Sequence, residues 1–232
     1  CGRLRKEMPP IVAVEFDSNV SGGFIARMLR SKGLEDLLAA TRTLRAEGAR
    51  FRVELLGPTD SNPDAIDADT LRQWHAAGEV TWHGATRDVR PYLAKCHVLV
   101  LPTRLREGVP RTILEAMASA RPVITTDAPG CGETVGDGEG GFVVPMGDPA
   151  ALAAAMRRFL NDPTLAAQLG GQARARVCRN NDVHLVNRLL LTEMGLESGG
   201  TKVPQAASTG ANARAMPMAW TRTSPPEKEA LQ

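Results

Sequence analysis

Aromatic side chains are scarce in this chain: five Phe, three Trp and one Tyr make up 4% of 232 residues. A channel lined with rings that stack single-stranded bases is therefore not expected. Charge of one sign is lacking as well. Basic residues number 28 against 26 acidic, for a net charge of +2, and no Lys/Arg block stands out, which argues against a nucleic-acid partner recruited by bulk charge. Cys1, Cys96, Cys131 and Cys178 lie far apart with no C-x-x-C, so reduced thiols are expected rather than a zinc site or a disulfide framework. The four histidines, His75, His83, His97 and His184, show no metal-ligand spacing. No apolar run approaches the roughly 18 residues of a membrane span, and no leader pattern is visible. G-x-G-x-x-G, the G-x-x-x-x-G-K-[ST] loop and the G-x-S-x-G elbow are all missing, so dinucleotide, P-loop and serine-hydrolase readings lose support.

What is present is alternation. Hydrophobic content is 43%, enough for one or two domains with a core. Strand-like runs occur at IVAVEF (11–16), FIA (24–26), RVELLG (52–57), VTWHG (80–84), HVLVLP (97–102), PVITT (122–126) and GFVVP (141–145). Helix-like segments fall between most of them. LEDLLAATRTLRAEG (34–48) places Leu34, Leu37, Leu38, Thr41 and Leu44 on one face, and VPRTILEAMASA (109–120) is a second strong helix. Residues 68–78 and 88–96 are weaker, and Pro91 fits only a first turn. Further helices are expected at 148–162, 163–180 and 182–195, the first with Asp148 as N-cap and Pro149 at its first helical position. Strand alternating with helix predicts an α/β fold, a parallel sheet covered by helices on both faces. Residues 1–10 read as a linker, 11–196 as the domain, and 197–232, rich in Gly, Ala, Pro, Ser and Thr without period, as a disordered tail. The start at Cys1 rather than Met suggests a fragment.

In open parallel sheets ligands sit beyond the carboxyl ends of the strands, and three loops there are unusual. In ARMLRSKGLED (26–36), Arg27 and Lys32 stand five apart before a helix; such a pair clamps neighbouring phosphates or is simply solvated. In REGVPRTILEA (106–116), a helix should start near Val109 or Pro110, and its free amides suit an anion. Glu107 would stand at its rim and Glu115 roughly 9 Å along the axis from Val109. Carboxylates repel phosphate but accept from sugar hydroxyls, so the layout matches ribose, diphosphate and hexose; the plainer reading is a helix-dipole charge and an exposed helix residue. In TDAPGCGETV (126–135), Gly130 and Gly132 admit a ligand or make a tight turn. GDGEGG (136–141) reads as a turn. His83, at a strand end, is placed to line a base pocket.

Together ARMLRSKG, VTWHG, LPTRLREGVPRTILEAMASARPVITTDAPGCGE and GGFVVPMGDP resemble the C-terminal, donor-binding domain of retaining GT-B glycosyltransferases, more narrowly the group-one family with many bacterial polysaccharide enzymes. The likeness spans about residues 20–195. It implies a Rossmann-like domain, one half of a GT-B fold, and a sugar transferred with retention from a nucleotide-diphosphate sugar to a hydroxyl on a glycan or lipid carrier. By that resemblance Arg27 and Lys32 bind the donor diphosphate and stabilise the leaving group, Glu107 contacts the sugar, and Gly108 and Val109 meet phosphate or sugar. Glu115 takes the ribose hydroxyls, and His83 and Gly84 neighbour the base. The three residues assigned to catalysis are Glu107, Arg27 and Lys32. The resemblance also implies no metal and no separate cofactor, a cytoplasmic enzyme with peripheral association at the inner face of the membrane left open, and a missing N-terminal, acceptor-binding half. Departures are Ala26 where the family often has Gly, Gly132 where a larger, often basic residue is common, and DSNVSGG (17–23), poor strand sequence where a firm strand is expected. A GT-B-like epimerase and a truncated, non-catalytic nucleotide-binding module remain as alternatives.

Overall fold

The computed structural model describes residues 20–196 apart from Pro163. The strand expected at 11–16, the linker at 1–10 and the tail at 197–232 lie outside the described residues. Six strands form one sheet: β1 Val20–Ile25, β2 Phe51–Leu56, β3 Thr81–Trp82, β4 Val98–Leu101, β5 Val123–Thr126 and β6 Gly141–Val144. Every pairing is parallel, and the order is β3-β2-β1-β4-β5-β6. The helices are α1 Leu34–Ala46, α2 Ala68–Ala76, α3 Arg90–Lys95, α4 Arg111–Ala118, α5 Gly132–Val135, α6 Pro149–Asn161, α7 Leu165–Asn180 and α8 Val183–Glu193.

The chain winds outward from β1 to β3, then returns to β4 on the other side of β1 and winds outward again. Right-handed crossovers place the connecting helices α1 and α4 of the two halves on opposite faces. α6 packs beside α1, and α7 beside α4. This is a Rossmann-like α/β sheet whose strand order reverses between β1 and β4. VLVL of β4 and VITT of β5 are buried throughout, as strands covered on both faces should be. The α1 face read from the sequence is the one that is buried, with Leu34, Leu37, Leu38, Thr41 and Leu44 turned inward. Asp148 caps α6 by accepting from the Ala151 amide at 2.8 Å, and Pro149 and Pro91 occupy first turns.

Two boundaries that shape the site differ from expectation. β1 begins at Val20 rather than Phe24, so the weak sequence VSGG belongs to a central strand, paired with β2 along its whole length. Tight packing explains the small residues. A Cβ on Gly23 would stand 3.2 Å from Cys96 Cβ, and the Ser21 hydroxyl donates to the Lys95 carbonyl at 3.1 Å. Close approach of the end of α3 outweighs strand propensity here. α4 starts at Arg111, because Pro110 keeps an extended backbone and acts as N-cap. α8 has no buried residue and exposes Val183, Leu189, Leu190, Leu191 and Met194. Among the described residues no helix is long and apolar enough to cross a membrane.

Candidate functional site

The switch point lies between β1 and β4, so the loops leaving those strands flank a crevice at the carboxyl edge of the sheet. Arg27 and Lys32 sit on the first loop, Glu107 and Gly108 on the second. Leaving β1, the Met28 amide donates to the Pro58 carbonyl and the Ile66 amide to the Met28 carbonyl. Buried Met28 and Leu29 anchor this segment. A single 3-10 turn, Arg30–Lys32, then ends at Gly33. Gly33 has φ +78°, and a Cβ there would lie 1.9 Å from the Pro102 carbonyl oxygen. Only glycine lets the first loop press against the second.

That contact brings the two motifs together. Lys32 Nζ stands 2.6 Å from Glu107 Oε1, with the two side chains only 13% and 22% exposed. The fully buried Thr103 hydroxyl donates to the same Oε1 at 3.0 Å. Oε1 therefore holds two donors, and Oε2 is the oxygen available to a ligand hydroxyl. The Arg104 amide donates to the Ser31 carbonyl at 2.8 Å, and the Arg104 guanidinium grips the buried Asp36 of α1 at 2.6 and 3.0 Å. The third loop closes in as well: a Cβ on Gly130 would lie 1.8 Å from the Gly108 carbonyl oxygen. Beside it Cys131 is buried, and burial, reinforced by the Glu107 charge, pushes its thiol up to about 11. It is a packed, neutral thiol rather than a nucleophile.

α4 has no side-chain N-cap, so no side chain claims the amides of its first turn. Gly108 and Val109 are exposed in front of it, Val109 at 49%. This end favours an anion. Glu115, on the second turn of α4, is 27% exposed and pairs with Arg111 at 2.9 Å. Arg27 is more open, 58% exposed, and its Nη1 meets Asp60 Oδ2 at 2.6 Å. That pairing holds the Asp60 carboxyl below the ordinary carboxylate range, helped by the Asn62 amide.

His83 lies away from the Lys32–Glu107 contact. Its Nε2 is 2.5 Å from Glu54 Oε2, and its ring meets Tyr92 edge-on at 5.0 Å. It helps line a cavity of about 240 Å³ on the sheet face with Ser21, Gly23, Glu54, Tyr92 and Cys96. Gly84, at the end of β3, accepts through its carbonyl from the Gly57 amide at 2.8 Å. Sequence reasoning missed Thr103, Asp60, Asp64 and the Asp36–Arg104 pair. Thr103 stands four residues before Glu107, a spacing that offered a weak signal. Among the described residues no group of three or more His, Cys, Asp or Glu side chains is arranged to hold a metal ion.

A doubly wound parallel sheet with cations, a helix N-terminus and a partly buried carboxylate at its switch point defines the class as a Rossmann-like domain. Comparison with known proteins narrows this class. Residues 20–162 match the family model for glycosyl transferases group 1, and the chain belongs to that family. It is 29% identical over 155 residues to the capsular polysaccharide biosynthesis glycosyltransferase CapM of Staphylococcus aureus, covering 67% of this chain and 40% of CapM. Its fold is similar to Anabaena HepE crystallised with UDP, at TM-score 0.66 and 24% identity over 77% of this chain and 49% of that one. It is also similar to the C-terminal domain of the group 1 protein LpcC of Francisella tularensis, at TM-score 0.59 and 20% identity, covering 71% of this chain and 87% of that domain. The chain thus spans less than half the length of CapM and of HepE.

Proposed function

We propose that this chain is the donor-binding half of a retaining GT-B glycosyltransferase of polysaccharide biosynthesis. The intact enzyme transfers a hexose-type sugar from a nucleotide-diphosphate sugar to a hydroxyl on a glycan or lipid-linked acceptor. The observation that carries this reading is the 2.6 Å contact of Lys32 with Glu107, which joins a phosphate-type cation and a hydroxyl-accepting acid at the switch point. The name of CapM and the UDP held by HepE point the same way.

In this reading the diphosphate lies between Arg27, Lys32 and the first-turn amides of α4. Negative charge grows on the departing diphosphate as the glycosidic bond breaks, and these donors, already gathered around the bound diphosphate, stabilise it. No metal is needed for that neutralisation. Glu107, oriented by Thr103 and Lys32, offers Oε2 to a sugar hydroxyl. Glu115 serves the ribose, and His83 and Gly84 stand toward the base. An N-terminal half supplies the acceptor site, and the exposed leucines of α8 are the surface that reaches it.

The test is calorimetric titration of the chain with UDP, GDP and ADP. At least one should bind, and Lys32→Met should weaken it tenfold or more, since a charge-assisted hydrogen bond is worth about 1.5–3 kcal/mol. Binding unaffected by both Lys32→Met and Arg27→Ala refutes the assignment. Alone, the chain should turn over poorly or not at all; steady transfer by the purified chain overturns that part. An epimerised sugar formed without acceptor would replace transferase by epimerase.

A further inference from the structure

Both cations assigned to the donor diphosphate already hold a carboxylate. Lys32 has Glu107, and Arg27 has Asp60. We propose that Asp60 is a built-in counter-anion which occupies Arg27 in the empty site and gives it up to the donor diphosphate, so that it sets donor affinity and speeds release of the nucleotide diphosphate product. This inference rests on the reading of Arg27 as a phosphate ligand.

The geometry favours exchange over a fixed structural tie. Asp60 is the stationary partner. Its Oδ1 accepts from the Asn62 amide at 3.0 Å, which closes a local turn. The loop around it is bound to the exit of β1: the Arg30 amide donates to the Asp64 carbonyl at 2.9 Å and the Ser31 amide to Asp64 Oδ2 at 3.1 Å. Arg27 is the mobile partner, with a long, largely exposed side chain. It meets Asp60 end-on through Nη1 alone rather than through the two-nitrogen fork that Arg104 presents to Asp36. A single-point ion pair whose arginine side is 58% exposed is weak, although Asp60 itself is only 21% exposed. A diphosphate offers more charge and paired oxygens that suit the guanidinium fork. Asp60 keeps its negative charge beside the bound anion, and that repulsion limits affinity.

Asp60→Asn keeps the side-chain oxygen that closes the Asn62 turn and removes only the charge. Titrated with UDP and with inorganic pyrophosphate, it should bind both about three- to tenfold more tightly than the unaltered chain, from loss of an exposed pair and of like-charge repulsion. Uridine, which lacks phosphate, should show no gain. The melting temperature reports whether the variant is folded, and Asp60→Ser serves as a second neutral variant. If the unaltered chain binds UDP and folded Asp60→Asn binds equally or more weakly, Asp60 positions Arg27 or does nothing, and the inference fails alone. If neither protein binds UDP or pyrophosphate, the reading of the site fails with it.

Discussion

Gly33 is the residue on which the site's assembly turns, and substituting it tests the whole arrangement. In Gly33→Ala the added methyl would stand 1.9 Å from the Pro102 carbonyl oxygen and 2.6 Å from its carbon. Relief to ordinary contact requires the loops after β1 and β4 to part by roughly 1.5 Å, since non-bonded carbon and oxygen do not approach much closer than about 3.4 Å. The residue also keeps φ +78°, which costs a side-chain-bearing residue about 1 kcal/mol. Overpacking of this kind costs about 1–3 kcal/mol more, for a total of roughly 2–4 kcal/mol. Lys32 precedes Gly33 and Thr103 follows Pro102, so the parting falls on the pair between them. A 2.6 Å ion pair stretched by that amount reaches about 4 Å and ceases to be a hydrogen bond.

Gly48→Ala separates the two contributions. Gly48 has φ +90° with nothing within 4 Å of its Cβ position, so its substitution carries the conformational penalty without the clash. Urea unfolding followed by circular dichroism should place Gly48→Ala about 1 kcal/mol below the unaltered chain, with nucleoside-diphosphate affinity unchanged. Gly33→Ala should lie clearly lower and bind at least tenfold more weakly at a temperature where it is folded. If the two variants are equally stable and bind alike, the claim that loop-to-loop packing at Gly33 builds the site is wrong.

Three further outcomes are expected. Burial pushes the Cys96 and Cys131 thiols up from the ordinary 9.0 to about 11. Between those values the unfolded chain releases protons that the folded chain keeps, so stability falls as pH rises through that window, by about 1.4 kcal/mol per thiol at pH 10; urea midpoints at pH 8 and 10 should show the fall, and the Cys96→Ala/Cys131→Ala variant should show a smaller one. Replacing Leu189, Leu190 and Met194 by Ser removes exposed apolar surface from α8 and should raise solubility while changing stability by less than about 0.5 kcal/mol each; a large loss would mean that this face is buried within the folded chain. Nucleotide binding should survive excess EDTA unchanged, because the proposed neutralising groups are Arg27, Lys32 and the α4 amides; a requirement for added Mg²⁺ would refute that division of labour.

Much of the fold was legible because parallel, doubly covered strands leave apolar runs, and helices between them leave a period near 3.6. VLVL, VITT and the leucines of α1 carry that signal openly. β1 does not, because its central residues Ser21, Gly22 and Gly23 answer to the crowding of α3 and β4, a tertiary fact with no local trace. The site divides in the same way. The end of α4 and the cations on the first loop could be named from local pattern. Their meeting could not, since Lys32 and Glu107 are separated by 75 positions.

The loop from Gly57 to Asp67 shows where such reasoning stops. Three aspartates lie there within eight residues of chemically similar sequence, and the fold gives each a different task. Asp67 caps α2, accepting from the Thr70 amide at 2.7 Å. Asp64 binds the Ser31 amide and hydroxyl and so fixes the turn that presents Lys32. Asp60 meets Arg27. Capping propensity identifies the first, because an N-cap is a local event. The other two depend on which part of the loop crosses the exit of β1, and that path is set by the Pro58–Met28 and Met28–Ile66 backbone bonds. Backbone pairing between distant segments thus decides which carboxylate stands beside Arg27. In this fold it places one negative charge against each positive charge that the donor is expected to claim.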